Sequence, residues 1–287
     1  MENFEQVANA SDSKSFQALQ DRLQALKMLQ REYVRVEMDF HRHFYALDME
    51  YQQKRQEIYG RRKDVISGSG DCYEQVPPDV VNGVMKAMQK LHLNKYFTDE
   101  TKDIKGIPNF WLQAIKNCTH NDDLVHECDE EALSYLLDIK VSLVNEPDMS
   151  FTLEFEFAPN PFFENSVLAK QYFLSCDTND EFYGFSIIRA IGCSIEWKDG
   201  ANITEKELES FFMFFNPPEL SESPDTNSLE FDSNIFFELQ QDFEIGLFIK
   251  EKLIPNAVLY YLNEVDEVID FGASSDNDET IVSNCNF

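Results

Sequence analysis

The chain has 287 residues and carries 24 Lys+Arg against 53 Asp+Glu, a formal charge of −29. Such an excess disfavours direct binding to bare DNA, RNA or an anionic membrane, all of them polyanions, and favours a basic partner. The length suffices for one large domain or two modest ones.

The acid is unevenly placed. Residues 20–66 hold ten basic against eight acidic side chains, whereas residues 151–287 hold six against 27. From residue 204 onward the count is three against 19, interleaved with aromatics, so the acids are expected to decorate a folded surface.

Residues 1–14 are polar and are read as a flexible N-terminus. From Ser15 to Ser67 one long helix is predicted. No Gly or Pro occurs before Gly60, and Leu19, Leu23, Leu26, Tyr33, Phe40, Phe44, Leu47, Tyr51, Ile58 and Val65 recur in steps of three, four and seven. At about 1.5 Å per residue such a rod spans roughly 70 Å, too long for the remaining chain to cover. Its stripe is therefore assigned to dimerisation with a second copy, of unspecified strand direction, rather than to the core of a monomer. Leu19, Leu23, Leu26 and Met28 also have the spacing of a leucine-type nuclear export signal, a loose pattern that any amphipathic helix can match.

Gly68-Ser69-Gly70 ends the helix, and Pro77-Pro78-Asp79 opens an accessory helix through Leu93, with Val81, Val84, Met88 and Leu91 on one face. This helix is expected to fold back on the long one, completing a region 15–105. A second region, 106–272, starts at Gly106-Ile107-Pro108, with Asn109 as the cap of a helix carrying Trp111, Leu112 and Ile115. Strands are predicted over 135–144, 151–157, 167–175 and 193–197; in the second, Phe151, Leu153, Phe155 and Phe157 alternate with Thr152, Glu154 and Glu156. No intervening segment offers a crossover helix, so the sheet is antiparallel. Thr204 and Glu207 stand in capping-box spacing before a helix with Leu208, Phe211, Phe212 and Phe215. A last helical region covers 233–262, broken at Pro255, and residues 273–287 form a short acidic tail. The fold class is α+β: a long dimerisation helix, then a four-stranded antiparallel sheet packed with helices.

Nothing in the sequence marks catalysis. A phosphate-binding Gly loop, a GxSxG elbow and HExxH are all absent, so the chain is read as a non-enzyme without cofactor. Cys118, His120, His126 and Cys128 have metal-ligand chemistry but a palindromic spacing unlike the paired spacing of structural zinc sites, and no metal is assigned. The six cysteines show no disulfide-scaffold pattern, and no signal peptide or long apolar run is evident, which fits a reduced nucleocytoplasmic protein. The candidate partner surface consists of Glu205, Glu207, Glu209, Glu238, Asp242, Glu244 and Glu251, clustered acids whose mutual repulsion a basic ligand relieves.

The stretches IPNFWLQAIKN (107–117), LSYLLDIKVSL (133–143), SFTLEFEFAPNPFFENSVLAKQYF (150–173), GCSIEWKDGANIT (192–204), ESFFMFFNPPE (209–219) and DFEIGLFIKEKLIPNAVLYY (242–261) resemble the nucleosome assembly protein family of histone chaperones, its nucleosome assembly branch more than its SET branch. The resemblance covers residues 16–272. It implies a dome-shaped homodimer, shuttling between nucleus and cytoplasm, whose concave acidic face binds core histones and assists nucleosome assembly and disassembly. It also adds Glu154 and Glu156 to the candidate surface. Two features depart from the family pattern: Thr204 runs almost directly into Glu205-Lys206-Glu207 where a basic β-hairpin is usual, and Asp276, Asp278 and Glu279 stand in place of a long acidic tail. The missing hairpin, which carries the import signal, keeps open the alternative of a cytoplasmic dimeric scaffold for basic regulatory or cytoskeletal partners.

Overall fold

The computed structural model describes residues 2–70, 76–90, 105–118, 124–145, 147–175, 186–205, 210–218 and 229–265, with side chains from Phe16 in the first helix and from Asn234 in the fifth. The elements are α1 (Glu2–Ser67), α2 (Pro78–Lys90), α3 (Phe110–Lys116), α4 (Glu130–Leu133), β1 (Leu136–Val144), β2 (Ser150–Phe157), β3 (Val167–Ser175), β4 (Ser186–Gly192), α5 (Leu229–Phe248) and α6 (Ile254–Leu262). The expected α+β architecture is present: a 66-residue helix followed by an antiparallel meander in the order β1-β2-β3-β4. The acidic tail at 273–287 lies outside the described residues.

Helix α1 begins at Glu2, ahead of Ser15, because nothing in residues 2–14 breaks helical hydrogen bonding. Two stripes run along it. The one expected from the sequence is uncovered by its own chain: Leu19, Leu23, Leu26, Phe40 and Ile58 are 54–63% exposed. A second stripe, through Tyr45, Gln52, Gln56, Tyr59 and Lys63, faces the domain. Its role is chemical as much as apolar. Strand β1 is a sheet edge, and α1 covers that edge: Val141 O accepts from Gln52 Nε2 and Gln56 Nε2, each at 3.0 Å. Tyr45 donates to Ser150 O at 2.6 Å and to Val144 O at 3.3 Å. The Val141 and Val144 carbonyls of this edge, which would otherwise template strand addition, are thereby occupied.

Farther along α1, Arg62 enters the interior. Its guanidinium lies 5.0 Å from the Trp111 ring and 4.6 Å from the Tyr59 ring and donates to Ile254 O, so one side chain joins α1, α3 and α6. Asp138, 2% exposed on β1, faces the same charge; burial pushes its carboxyl up to about 6 against the pull of Arg62. The end of α1 is crossed by the chain at Gly106: Ile107 N donates to Ile66 O, and a Cβ on Gly106 would sit 2.0 Å from that oxygen.

On β2 the alternation holds. Phe151, Leu153, Phe155 and Phe157 are at most 3% exposed, and Thr152, Glu154 and Glu156 turn to the other face. The buried face is filled from beneath by the Phe211–Phe215 segment, with Phe155 against Phe211, Phe214 and Phe215 at 5.3–6.0 Å. Buried Asp129 pins that segment, accepting from Ser210 Oγ at 2.6 Å, Phe211 N at 2.9 Å and His126 N at 3.1 Å.

Several expectations need correction. The fourth strand is Ser186–Gly192, not 193–197, where only an isolated bridge joins Phe163 and Trp197. The strand stops at Gly192 because the Phe215 carbonyl crosses there, 1.8 Å from where a Cβ would be. Residues 211–215 form a 3-10 turn capped by Ser210, whose hydroxyl accepts from Phe212 N, and Glu207 lies outside the described residues. Asn109 precedes α3 in the left-handed region (φ 57°) without a side-chain cap; Asn tolerates that conformation better than most residues. Helix α2 touches α6, with Lys90 Nζ donating to Asn263 O, and its Val80, Val81, Val84 and Met85 remain exposed. The break expected at Pro255 is present: a π turn (Ile249–Leu253) precedes it, accommodating the missing N–H and the ring, and Asn256 just behind it leaves helical geometry (φ −106°, ψ 19°) in a kink.

Asp138 sets a pH dependence. Its carboxyl titrates near 3.8 when unfolded and near 6 when folded, so between these values the native state holds the extra proton and stability falls as pH rises. The full drop is roughly 3 kcal/mol, and Asp138→Asn should flatten the urea-unfolding free energy between pH 4 and 6.

Candidate functional site

The nine candidate acids do not share one surface. Glu154 and Glu156 project from the sheet face opposite the aromatic core, while Glu238, Asp242, Glu244 and Glu251 belong to α5 and the π turn on the core side. Glu207 and Glu209 lie outside the described residues.

Partners divide them further. Glu156 is held by Lys63 Nζ of α1 at 2.6 Å and Lys140 Nζ of β1 at 2.7 Å, which keep its carboxyl below the usual range. It fastens the long helix to the sheet. Glu154 is half-buried and stands across the ladder from Lys140. Glu251 sits 3.3 Å from Lys250, which also reaches Asp48 of α1. Glu205, Glu238 and Glu244 are exposed, and among the described residues no base is paired with them.

Asp242 is the unusual member. Lys170, fully buried on the core face of β3, binds its Oδ1, donates to Phe214 O and lies 3.9 Å from the Phe214 ring centroid. Tyr172 OH donates to the Asp242 carbonyl at 3.0 Å. Burial lowers Lys170 to about 8 and raises Asp242, each against the attraction of the other, so desolvation outweighs the pairing. Asp242 Oδ2 is buried with no hydrogen-bond partner.

Beside this pair lies a cleft of about 760 Å³ between α5, the Phe211–Phe215 turn and the 124–126 loop, with Glu238 and Asp242 on its α5 wall. The sequence reading missed Lys170 and the cleft. A signal for Lys170 existed: it occupies the buried period of Leu168, Tyr172 and Leu174, where a charge demands a partner. The cleft had none, because residues 126, 211–214 and 238–242 converge only in three dimensions.

Among the described residues no group of three metal-ligating side chains converges, and no helix is long and apolar enough to cross a membrane. Cys118 is buried and its thiol donates to Ile115 O at 2.8 Å, Cys128 is half-buried, and His120 lies outside the described residues.

The family model for nucleosome assembly proteins matches residues 21–264, spanning the long helix and the α+β domain. The chain belongs to the nucleosome assembly protein family. It is 35% identical to nucleosome assembly protein 1-like 1-A of Xenopus laevis, covering 86% of this chain and 69% of that one. Against nucleosome assembly protein 1-like 4 of Homo sapiens the identity is again 35%, over 87% and 75% of the two chains. A crystal structure of the nucleosome assembly protein from Plasmodium falciparum superposes with a TM-score of 0.51 at 27% identity, over 86% of this chain and 99% of the other.

The Lys170–Asp242 pair is testable apart from function. Lys170→Met or Asp242→Leu alone should cost about 3–5 kcal/mol in urea unfolding by stranding a buried charge, and the double variant should recover most of that loss.

Proposed function

We propose that the chain is a homodimeric histone chaperone that acts by binding alone, without a catalytic step. Membership of the nucleosome assembly protein family, across both the long helix and the acidic domain, carries this reading. The exposed stripe of α1 supports the dimer: Leu19, Leu23, Leu26, Tyr33, Phe40, Phe44, Leu47, Tyr51 and Ile58 all face water in a single chain, a run of apolar surface that monomers rarely leave bare. The same pairing buries Leu19, Leu23, Leu26 and Met28, so the candidate export signal is masked in the dimer, and the protein shuttles between nucleus and cytoplasm.

Core histones are basic, and among the described candidate acids Glu205, Glu238 and Glu244 are exposed without a paired base and available to them. The chaperone competes electrostatically with DNA, covering the basic histone surface until nucleosomal contacts replace it. Each exposed pair contributes about 0–1 kcal/mol, so affinity rises from many pairs and weakens with salt.

Sedimentation equilibrium of the chain, alone and with core histone dimers at low and high salt, tests the reading. Two chains per particle and a salt-sensitive complex are expected; a dimer indifferent to histones refutes the chaperone. Phe44→Glu with Leu47→Glu should yield single chains that keep their far-UV circular dichroism, since both residues are exposed within one chain. Replacing Glu205, Glu238 and Glu244 together with Gln should weaken histone binding roughly tenfold at low salt, whereas Glu156→Gln should lower stability and leave histone affinity in place.

A further inference from the structure

We propose that the cleft between α5 and the Phe211–Phe215 turn seats a lysine- or arginine-bearing peptide segment of the basic partner, an inference that rests on the chaperone reading. Its volume, about 760 Å³, exceeds the needs of a single side chain and falls in the ~300–1,000 Å³ range of ligand sites. Its walls select the chemistry. Glu238 and Asp242 stand one helical turn apart on α5 and therefore on the same face. Opposite them Phe211, Met213 and Phe214 supply apolar surface, and the one potentially basic side chain among the described lining residues is His126.

An anion is repelled by the exposed Glu238 carboxylate, and a wholly apolar ligand strips its water without replacing it. A cation on an apolar stem satisfies both walls: its methylenes lie on the Phe and Met side chains and its head reaches the acids. The Phe214 ring already makes one cation–π contact, at 3.9 Å from the Lys170 ammonium, the kind of contact that an alkylammonium group of a partner would make with the apolar wall. In this arrangement the cleft is the anchor that many weak rim pairs lack.

The test uses the full-length chain labelled with methyl-13C methionine, the Met213 resonance being assigned by its loss in Met213→Leu. Pentalysine is titrated at neutral pH, alongside a pentamer of 2,4-diaminobutyrate that carries the same charges on stems two methylenes shorter. Pentalysine should shift the Met213 methyl saturably. The shorter pentamer should bind about tenfold more weakly, the effect of two buried methylenes, and Glu238→Gln should weaken pentalysine about threefold. An unmoved Met213, or equal affinity for the two pentamers, overturns the proposal.

Histone sedimentation separates this outcome from the wider reading. Histone dimers that bind while pentalysine leaves Met213 unmoved remove the cleft and keep the chaperone. Stem-selective binding of pentalysine without histone uptake keeps the cleft as a basic-peptide site and removes the histone assignment.

Discussion

The edge of β1 is the constraint from which the architecture follows. A four-stranded meander has two open edges, and this one is closed by side chains from a helix: Gln52 and Gln56 of α1 donate to Val141 O and Tyr45 to Val144 O, as a fifth strand would have done. Such bonds form only if one face of α1 is turned to the sheet. Arg62, packed near Trp111 and Tyr59, and Lys63, bound to Glu156, hold that orientation farther along. With the helix held in this way, the described residues of the chain leave its apolar stripe uncovered.

Charge is organised by the same arrangement. Around α1 acids meet bases and are consumed as fasteners: Glu156 of β2 holds Lys63 of α1, and Asp48 of α1 holds Lys250. The core side of the sheet has few bases to spare. Lys170 is committed to Asp242, and among the described residues Glu238 and Glu244 of α5 have no base paired with them. Several of the described acids are thus already paired within the chain, which the formal charge of −29 does not reveal.

Where local pattern alone decides the outcome, the sequence was legible. The limits of β3 and the inward phenylalanines of β2 were read correctly because strand alternation is a property of consecutive residues. Errors fell where distant backbone intervenes. Gly192 ends β4 because Phe215 crosses it, and the helix expected around Phe211 tightened into a 3-10 turn tied to Asp129, eighty-one residues from Ser210 in sequence. Among the candidate acids the same division applies: clustering in sequence was visible, but which carboxylates had already met a lysine was not.

By itself, then, the sequence determined a long helix with a stripe too extended for its own chain to cover, an antiparallel α+β domain, and an acidic C-terminal half. Tertiary structure decided which way that helix faces. Phe44 and Tyr45, Tyr51 and Gln52, and Ile58 and Tyr59 are neighbours about 100° apart on the helix, and both series recur with the same period. Only contact with the carbonyls of β1 distinguishes the series turned to the sheet from the one left to water, because hydrogen-bond partners so distant in sequence leave no trace in a local period.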